Sequence, residues 1–381
     1  MKVAVLGFGT VGVGVYEMLE KAQGLEQGPV LVRPGKDDTA FKVTDIETIV
    51  NDPEVWAVAE VMGGIEPAFT YAAKALKAGK HFVTSNKALV AAKGVELQKI
   101  ADESGAAFLF SAACGGAVPF LHNLSVAVKS DEILSLGGIL NGTTNYMLDC
   151  MQRFGMDYSE ALADAQKLGY AEADPTADVT GQDALRKIML ACAVSYGKLP
   201  VEGLLNEGID SLTAADVEHF SSKGYTCRLI VSGGPAGESV YAYVEPVLLR
   251  NSAPECSVLL NYNMAKYDGK NSGPIVLMGQ GAGRYPTASA VLRDLSCIAQ
   301  GAKAMFPAGV CEVEADNSGA KHLYYVRLPE EMAAMIESES IECENGVARL
   351  ITKEMSVSEM HAAAKQIREK GGKVFFAAIG G

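Results

Sequence analysis

The sequence predicts an α/β protein: a doubly wound parallel sheet, then a mixed α/β domain with an antiparallel sheet, then a small ferredoxin-like tail. Three observations carry this. A β-rich run at residues 2–6 feeds a glycine fingerprint and then a helical pattern. Strand-like and helix-like stretches alternate from there to about residue 112, the mark of a parallel sheet. From about Leu323 the order reads β-α-β-β-α-β, which is ferredoxin-like.

In order, Lys2-Val3-Ala4-Val5-Leu6 is the first strand, and Gly7-Phe8-Gly9-Thr10-Val11-Gly12 opens a helical pattern that runs to about Lys21. Strand, glycine turn and helix are the context in which GxGxxG marks a dinucleotide site. Gly7 permits the tight turn, Gly9 lets the backbone approach a pyrophosphate, and Gly12 lets the helix pack close to the strand. Thr10 and Val11 belong to the same turn, where unsatisfied helix N–H groups face the phosphates. Residues 30–33 read as the second strand. Where an acid at its tip would hold a ribose 2′-hydroxyl, the chain has Arg33-Pro34-Gly35-Lys36, with acids only at Asp37 and Asp38. Two cations favour a 2′-phosphate and hence NADP(H). A solvated loop, with NAD still possible, is the alternative.

Residues 56–62 read as strand, 66–78 as helix, 81–85 as strand, 87–104 as helix and 107–112 as strand. In such sheets ligands collect at the carboxyl ends of the strands. Met62-Gly63-Gly64-Ile65-Glu66-Pro67 and Thr84-Ser85-Asn86-Lys87 fall there. A lysine at a helix start opposes the helix dipole, so Lys87 is a candidate ligand contact, with simple solvation as the alternative. The small residues of Ser111-Ala112-Ala113-Cys114-Gly115-Gly116-Ala117-Val118-Pro119 allow close backbone approach. Residues 133–141 read as a strand ending in Asn141-Gly142-Thr143-Thr144-Asn145, whose amides and hydroxyls suit a small polar ligand. Helices follow at about 145–154 and 158–168. Strand-like pieces at 228–231 and 240–244 suggest the antiparallel sheet of a second domain. Gly279-Gln280-Gly281-Ala282-Gly283 feeds a helical run at 288–299. In the tail, 324–328 reads as strand and 330–336 as a short helix. Two strands flank Asn345-Gly346. A helix covers 357–370, with Ser356 and Glu359 spaced as a capping box, and 373–378 is a last strand.

Bulk properties narrow the function. With 381 residues there is chain for two or three domains with a real core, and a net charge of −13 argues against nucleic acid or an anionic membrane as partner. The opening strand is too short, and too soon followed by glycines, for a signal peptide. No apolar run approaches a membrane span. Eight scattered cysteines without a CxxC pair suggest reduced thiols in a cytoplasmic enzyme, not a disulfide frame or a zinc site.

The stretch richest in chemistry is LGYAEADPTADVTGQDALRK, residues 168–187. It holds Glu172, Asp174, Asp178, Asp183 and Lys187, with Asp164 just upstream. Thr180 reads as the N-cap of a helix and Asp183 lies near the capping-box position. In that helix Asp183 and Lys187 are i and i+4, within a side chain's reach. They make either a surface salt bridge or a lysine held charged, ready to move a proton. The remaining acids read as loop solvation and turn chemistry, or as a pocket for a cationic group.

The collinear motifs GFGTVG, EVMGGIEPA, TSNKALV, GILNGTTNYML, LGYAEADPTADVTGQDALRK and GQGAGRYPTASAV closely resemble homoserine dehydrogenase over roughly residues 1–310. The resemblance implies NAD(P)-linked interconversion of L-homoserine and L-aspartate 4-semialdehyde in threonine, isoleucine and methionine biosynthesis. It implies a Rossmann dinucleotide-binding domain over 1–127 plus about 280–310, and a substrate and dimerisation domain over 128–279. The tail, 320–381, resembles a shortened ACT domain. By resemblance Lys187 is the proton donor and acceptor, and Asp183 is its partner and a substrate contact. Glu172 receives the substrate's ammonium, with Tyr170, Gly142 and Thr143 lining the pocket. Lys87, Gly169 and Gly283 neighbour cofactor or substrate. A monovalent cation such as sodium would sit on backbone oxygens of Ser111, Cys114, Gly116 and Val118, and the chain would form a homodimer or higher oligomer. The sequence departs from the family at Ser111, usually an acid, at Cys114, usually valine, and at the Arg33–Lys36 tip. The tail has Leu328-Pro329-Glu330-Glu331-Met332 in place of an Asp-x-Pro-Gly turn, so threonine feedback is not implied. Competing readings are a related amino-acid dehydrogenase on the same scaffold, or a non-catalytic NADP and amino-acid sensor; the presence of Lys87, Asp183 and Lys187 speaks against the sensor.

The chemistry sets a requirement. A hydride leaves an alcohol carbon only as the hydroxyl proton is removed, and a lysine can take that proton if its affinity is brought toward the working pH. Burial favours the neutral amine and an adjacent carboxylate the charged one, so Asp183 is read as orienting Lys187 and keeping it an acid for aldehyde reduction.

Overall fold

A computed structural model describes residues 1–36 and 38–380; Asp37, one of the two acids after the second strand, lies outside the described residues. The chain divides into two compact units: residues 1–132, 189–199 and 279–312, and residues 133–188, 200–278 and 313–381.

The first unit is built on a parallel six-stranded sheet. Its strands are β1 (Lys2–Leu6), β2 (Glu26–Leu31), β3 (Lys42–Val43), β4 (Val55–Glu60), β5 (His81–Thr84) and β6 (Phe108–Leu109), in the order β3-β2-β1-β4-β5-β6. The order reverses at β1, which makes this the doubly wound dinucleotide-binding arrangement. The strands are apolar because both faces are covered. Val3, Val5, Ala57, Ala59 and Val83 are fully buried against Val15 and Leu19 of the helix Thr10–Leu19 and Val291 and Leu295 of the helix Arg284–Ala299. Each such valine or leucine contributes roughly 1.5–3 kcal/mol by leaving water. The expected helix at 87–104 is present as Lys87–Ser104. The second strand runs over Glu26–Leu31 and not 30–33. Its first residues are poor strand formers, and Gly28 is there for closeness: a Cβ would lie 2.7 Å from the Val3 carbonyl oxygen.

The second unit carries a long mixed sheet. Tyr225–Ala236 and Ser239–Arg250 form an antiparallel hairpin with every residue of each strand paired. Ile133–Ile139, Tyr262–Gly269 and Gly273–Gln280 extend it on one side. On the other side the tail strands follow in the order Phe375–Ile379, Tyr324–Pro329, Val347–Thr352, Ser338–Glu344. Numbered within the tail this is 4-1-3-2, the ferredoxin-like sheet. The tail helix Val357–Glu369 covers one face with Met360, Ala364 and Ile367 on Tyr324, Val326, Leu350 and Phe376. Its capping box of Ser356 and Glu359 forms as the spacing predicts. Asn345 and Gly346 both take positive φ, 52° and 77°, at the expected turn. The short tail helix is a 3₁₀ segment, Glu330–Met335. The tail joins the larger sheet through parallel pairing of Val247 with Ala378 and Leu248 with Ile379.

Candidate active site

The helix Gln182–Tyr196 places Asp183 and Lys187 one turn apart, and its apolar rhythm, Leu185, Ile188, Met189 and Ala193, is buried. Lys187 Nζ lies 2.7 Å from Asp183 Oδ2, and each side chain is only 10 % exposed. Nζ also donates to the Leu140 carbonyl at 2.6 Å. Burial excludes the surface salt-bridge alternative. Thr180 is not the N-cap of this helix. It ends the single turn Thr176–Val179, its hydroxyl donates back to the Thr176 carbonyl at 2.7 Å, and Gly181 at φ +83° reverses the chain before Gln182. Pro175 starts that extra turn, which competes with the cap the sequence offers.

Asn141 organises the acids. Its Nδ2 donates to Asp178 Oδ1 at 2.7 Å and to Asp183 Oδ2 at 2.9 Å, while its Oδ1 caps the helix Gly142–Phe154 by accepting from Thr144 N at 2.8 Å. Burial, and then the nearby Asp183 charge, push the Asp178 carboxyl above its ordinary value. One amide therefore bridges two carboxylates that would otherwise repel, and it shares Asp183 Oδ2 with Lys187 Nζ. The helix begins at Gly142, earlier than the predicted 145. Gly142 is required there, because a Cβ would sit 2.7 Å from the Asn261 carbonyl oxygen.

Thr143 Oγ1 donates to the Tyr170 carbonyl at 2.6 Å, and the Tyr170 ring meets Tyr146 edge-on at 5.1 Å. Tyr146 donates a short hydrogen bond to Asp164. Thus Gly142, Thr143 and Tyr170 are brought together, and Asn141 ties their helix start to Asp183 and Lys187. Gly169, at φ +76°, precedes Tyr170 with open space around it. Glu172 is exposed on the following loop, where its backbone carbonyl accepts from Gln166. Asp174 does turn work, accepting from Thr176 N at 3.1 Å and Thr176 Oγ1 at 2.6 Å.

The first unit holds the dinucleotide candidates. Gly7 has φ +97°, and a Cβ on Gly12 would lie 2.1 Å from the Gly7 carbonyl oxygen, so the helix meets the turn without room for a side chain. A Cβ on Gly9 would meet nothing within 4 Å, and the helix it starts has no side-chain cap. Free N–H groups beside open space fit a pyrophosphate. Thr10 is exposed and Val11 half-buried on the first turn; Arg33 and Lys36 are exposed, and Asp38 pairs with Lys42 at 2.6 Å. Lys87 starts its helix half-buried, beside Asn86, which caps that helix and donates to the Gly64 carbonyl at 2.6 Å. Gly283 precedes the helix Arg284–Ala299 at φ +121°. Sequence reasoning missed Glu60, fully buried at the carboxyl end of β4. It accepts from Met62 N at 2.7 Å and Thr84 Oγ1 at 2.6 Å, and burial raises its carboxyl. An acid ending an otherwise apolar strand was the available signal.

In the Ser111–Val118 loop, Ser111–Ala113 is one 3₁₀ turn and Gly115 and Gly116 have φ of +84° and +51°. Buried Asp294 accepts from the Ser111 backbone N–H at 2.8 Å and from its hydroxyl. Among the described residues no cluster of three His, Cys, Asp or Glu side chains is placed to hold a metal.

Comparison with known proteins identifies the family. A family model described as homoserine dehydrogenase matches residues 119–296, and one described as its NAD binding domain matches residues 7–111. The chain is 40 % identical over 313 residues to a homoserine dehydrogenase of Synechocystis sp., covering 77 % of this chain and 72 % of that protein. It is 38 % identical over 313 residues to one from Corynebacterium glutamicum, covering 77 % and 70 %. A crystal structure of a homoserine dehydrogenase from Thiobacillus denitrificans superimposes with a TM-score of 0.88 at 29 % identity, covering 100 % of this chain and 98 % of that one. The chain belongs to the homoserine dehydrogenase family of NAD(P)-dependent oxidoreductases.

Proposed function

We propose that this chain interconverts L-homoserine and L-aspartate 4-semialdehyde with Lys187 Nζ as the group that gives and takes the proton at the substrate oxygen. The observation that carries this is the buried Asp183–Lys187 pair at 2.7 Å. In aldehyde reduction the ammonium donates to the carbonyl oxygen as charge develops there; in alcohol oxidation the neutral amine accepts the hydroxyl proton. Asp183 and the Leu140 carbonyl aim the ammonium and restrict its rotation. The nicotinamide ring supplies or accepts the hydride when bound. The turn at Gly7, Gly9, Thr10, Val11 and Gly12 would hold its pyrophosphate, and the open space at Gly9 supports that.

The substrate's ammonium is read as going to Glu172, with Gly142, Thr143 and Tyr170 around it and Lys87 as a further neighbour of substrate or cofactor. Asp178 and Asp183 give the same end of the second unit a negative balance that suits an amino acid. NADP(H) preference is supported by the exposed Arg33 and Lys36 at the end of β2. A monovalent cation on the carbonyls of Ser111, Cys114, Gly116 and Val118 is supported by the two left-handed glycines, which turn successive peptides within one short loop. The tail is read as a shortened ACT-like domain on its strand order. A homodimer is supported by the edge strand Gly273–Gln280, where Val276 and Met278 are 48 % and 60 % exposed. A cytoplasmic setting is supported by eight cysteines that form no disulfide. The test is aspartate semialdehyde reduction with NADPH and with NADH, in the wild type and in Lys187→Ala. Loss of turnover with cofactor binding retained supports the reading; near-normal turnover of the variant overturns it.

A further inference from the structure

The turn that carries the acids is seated on one short segment, residues 206–209. Asn206 Nδ2 donates to the Thr180 carbonyl at 2.7 Å, and Ile209 N donates to the Val179 carbonyl at 2.8 Å. Gly208 is pressed so close that a Cβ would lie 2.0 Å from the Val179 carbonyl oxygen. Between these two hydrogen bonds stands Glu207. Its backbone N–H is fixed to the Val244 carbonyl at 2.8 Å, and its carboxylate, 6 % exposed, points away to Arg368 Nη2 at 2.5 Å. Arg368 lies on the tail helix Val357–Glu369 and also donates to the Val374 carbonyl. His361, seven residues earlier and therefore on the same face, has Nε2 3.5 Å from Glu245, the neighbour of Val244. Glu245 also accepts from Tyr324 OH at 3.0 Å. One face of one helix thus clamps Glu207 through Arg368 and brings His361 close to Glu245, on the two segments that support the active-site turn.

The pair is buried on one side only: the Arg368 side chain is 44 % exposed and Glu207 6 %, so the cation stays partly hydrated while the carboxylate depends on it, and the best-attested use of such an ionic contact is to fix a register. Here the register fixed is that of residues 206–209 against 178–181. We propose that Arg368 is a positioning residue for the reaction: by clamping Glu207 it fixes the turn that presents Asp178 and Asp183 to Lys187. The tail is then part of the catalytic scaffold, reaching the proton-carrying pair through Glu207, Asn206 and Thr180 without touching substrate. This rests on the reading of Lys187 as proton carrier.

The test is steady-state kinetics of the full-length chain as Arg368→Ala and Arg368→Lys, with Glu207→Gln as a milder change that keeps the shape of the buried side chain. Arg368→Ala lowers kcat roughly 10- to 100-fold and raises the homoserine KM, with the cofactor KM unchanged. Arg368→Lys restores most of the loss, and Glu207→Gln shows the same split at smaller size. The proposal is overturned if Arg368→Ala keeps kcat within about twofold of wild type. It is equally overturned if the loss falls on cofactor and substrate alike and lysine does not repair it. Should Arg368→Ala not fold, an unchanged kcat in Glu207→Gln overturns it. Lys187→Ala separates the two levels: if that variant keeps its turnover the proton-carrier reading fails, whereas an inactive Lys187→Ala beside a normal Arg368→Ala defeats only the positioning role.

Discussion

Replacing Asp183 by asparagine removes one charge and almost no volume. In the native site the carboxylate lies 2.7 Å from Lys187 Nζ with both side chains 10 % exposed. At an effective dielectric of ~20 that separation corresponds to roughly 6 kcal/mol of attraction before desolvation is counted. Releasing a buried carboxylate from its desolvation offsets part of this, and breaking one side of a buried pair costs about 3–5 kcal/mol net. The new amide still offers an oxygen, and the Leu140 carbonyl still accepts from Nζ at 2.6 Å, which favours the lower half of that range. That cost falls on folding; where the same misplacement of the ammonium is borne in the transition state, about 1.36 kcal/mol per decade makes it a fall in kcat of about 100- to 1,000-fold. The substrate KM rises several-fold, because Asp183 is also read as a substrate contact, and the cofactor KM stays put. The assay is initial-rate kinetics in both directions, with melting temperature followed in parallel. A kcat within about threefold of wild type would refute the reasoning, since such a value is the size of a surface pair.

Further outcomes follow from the other groups. Glu172→Ala, on an exposed loop, raises the homoserine KM strongly and leaves the cofactor KM and the melting temperature alone; an unchanged homoserine KM removes Glu172 from the pocket. Arg33→Ala weakens NADPH binding and spares NADH, and equal affinities before and after would end the 2′-phosphate argument. Burial raises the Glu60 carboxyl, so its contribution to stability is full below the unfolded value near pH ~4.3 and is lost as pH rises through the folded value. Glu60→Gln therefore gains melting temperature relative to wild type as pH climbs through that window, and a pH-independent difference between the two contradicts the sign.

What could be read from the sequence was local. The Asp183–Lys187 pair, the glycine turn and the Ser356–Glu359 cap each depend on spacings of a few residues, and helix and turn geometry converts such spacings directly into contacts. The boundaries of the helix at Lys87–Ser104 were legible for the same reason. What escaped was long-range. Asn141 bridges acids 37 and 42 residues away, and nothing in GILNGTTNYML announces that its amide is shared between them. The Leu140 carbonyl has no side-chain signature at all. The start of the strand Glu26–Leu31 is not legible because tertiary closeness at Gly28 overrides poor local propensity. Thr180 has the residue type of an N-cap, but Pro175 starts a separate turn, Thr176–Val179, that uses Thr180 as its end. The pairing that joins the tail to the larger sheet, and the contact of Arg368 with Glu207, 161 residues away, are likewise matters of packing.

The account turns on whether a single ammonium moves the substrate proton. The most direct measurement is chemical rescue: Lys187→Ala assayed for aspartate semialdehyde reduction with a series of small primary alkylamines. The account predicts an inactive variant that still binds cofactor, with turnover returning as amine is added and scaling with the amine's acidity. Turnover near wild type without any amine, or full loss that no amine restores while cofactor and substrate still bind, would contradict it.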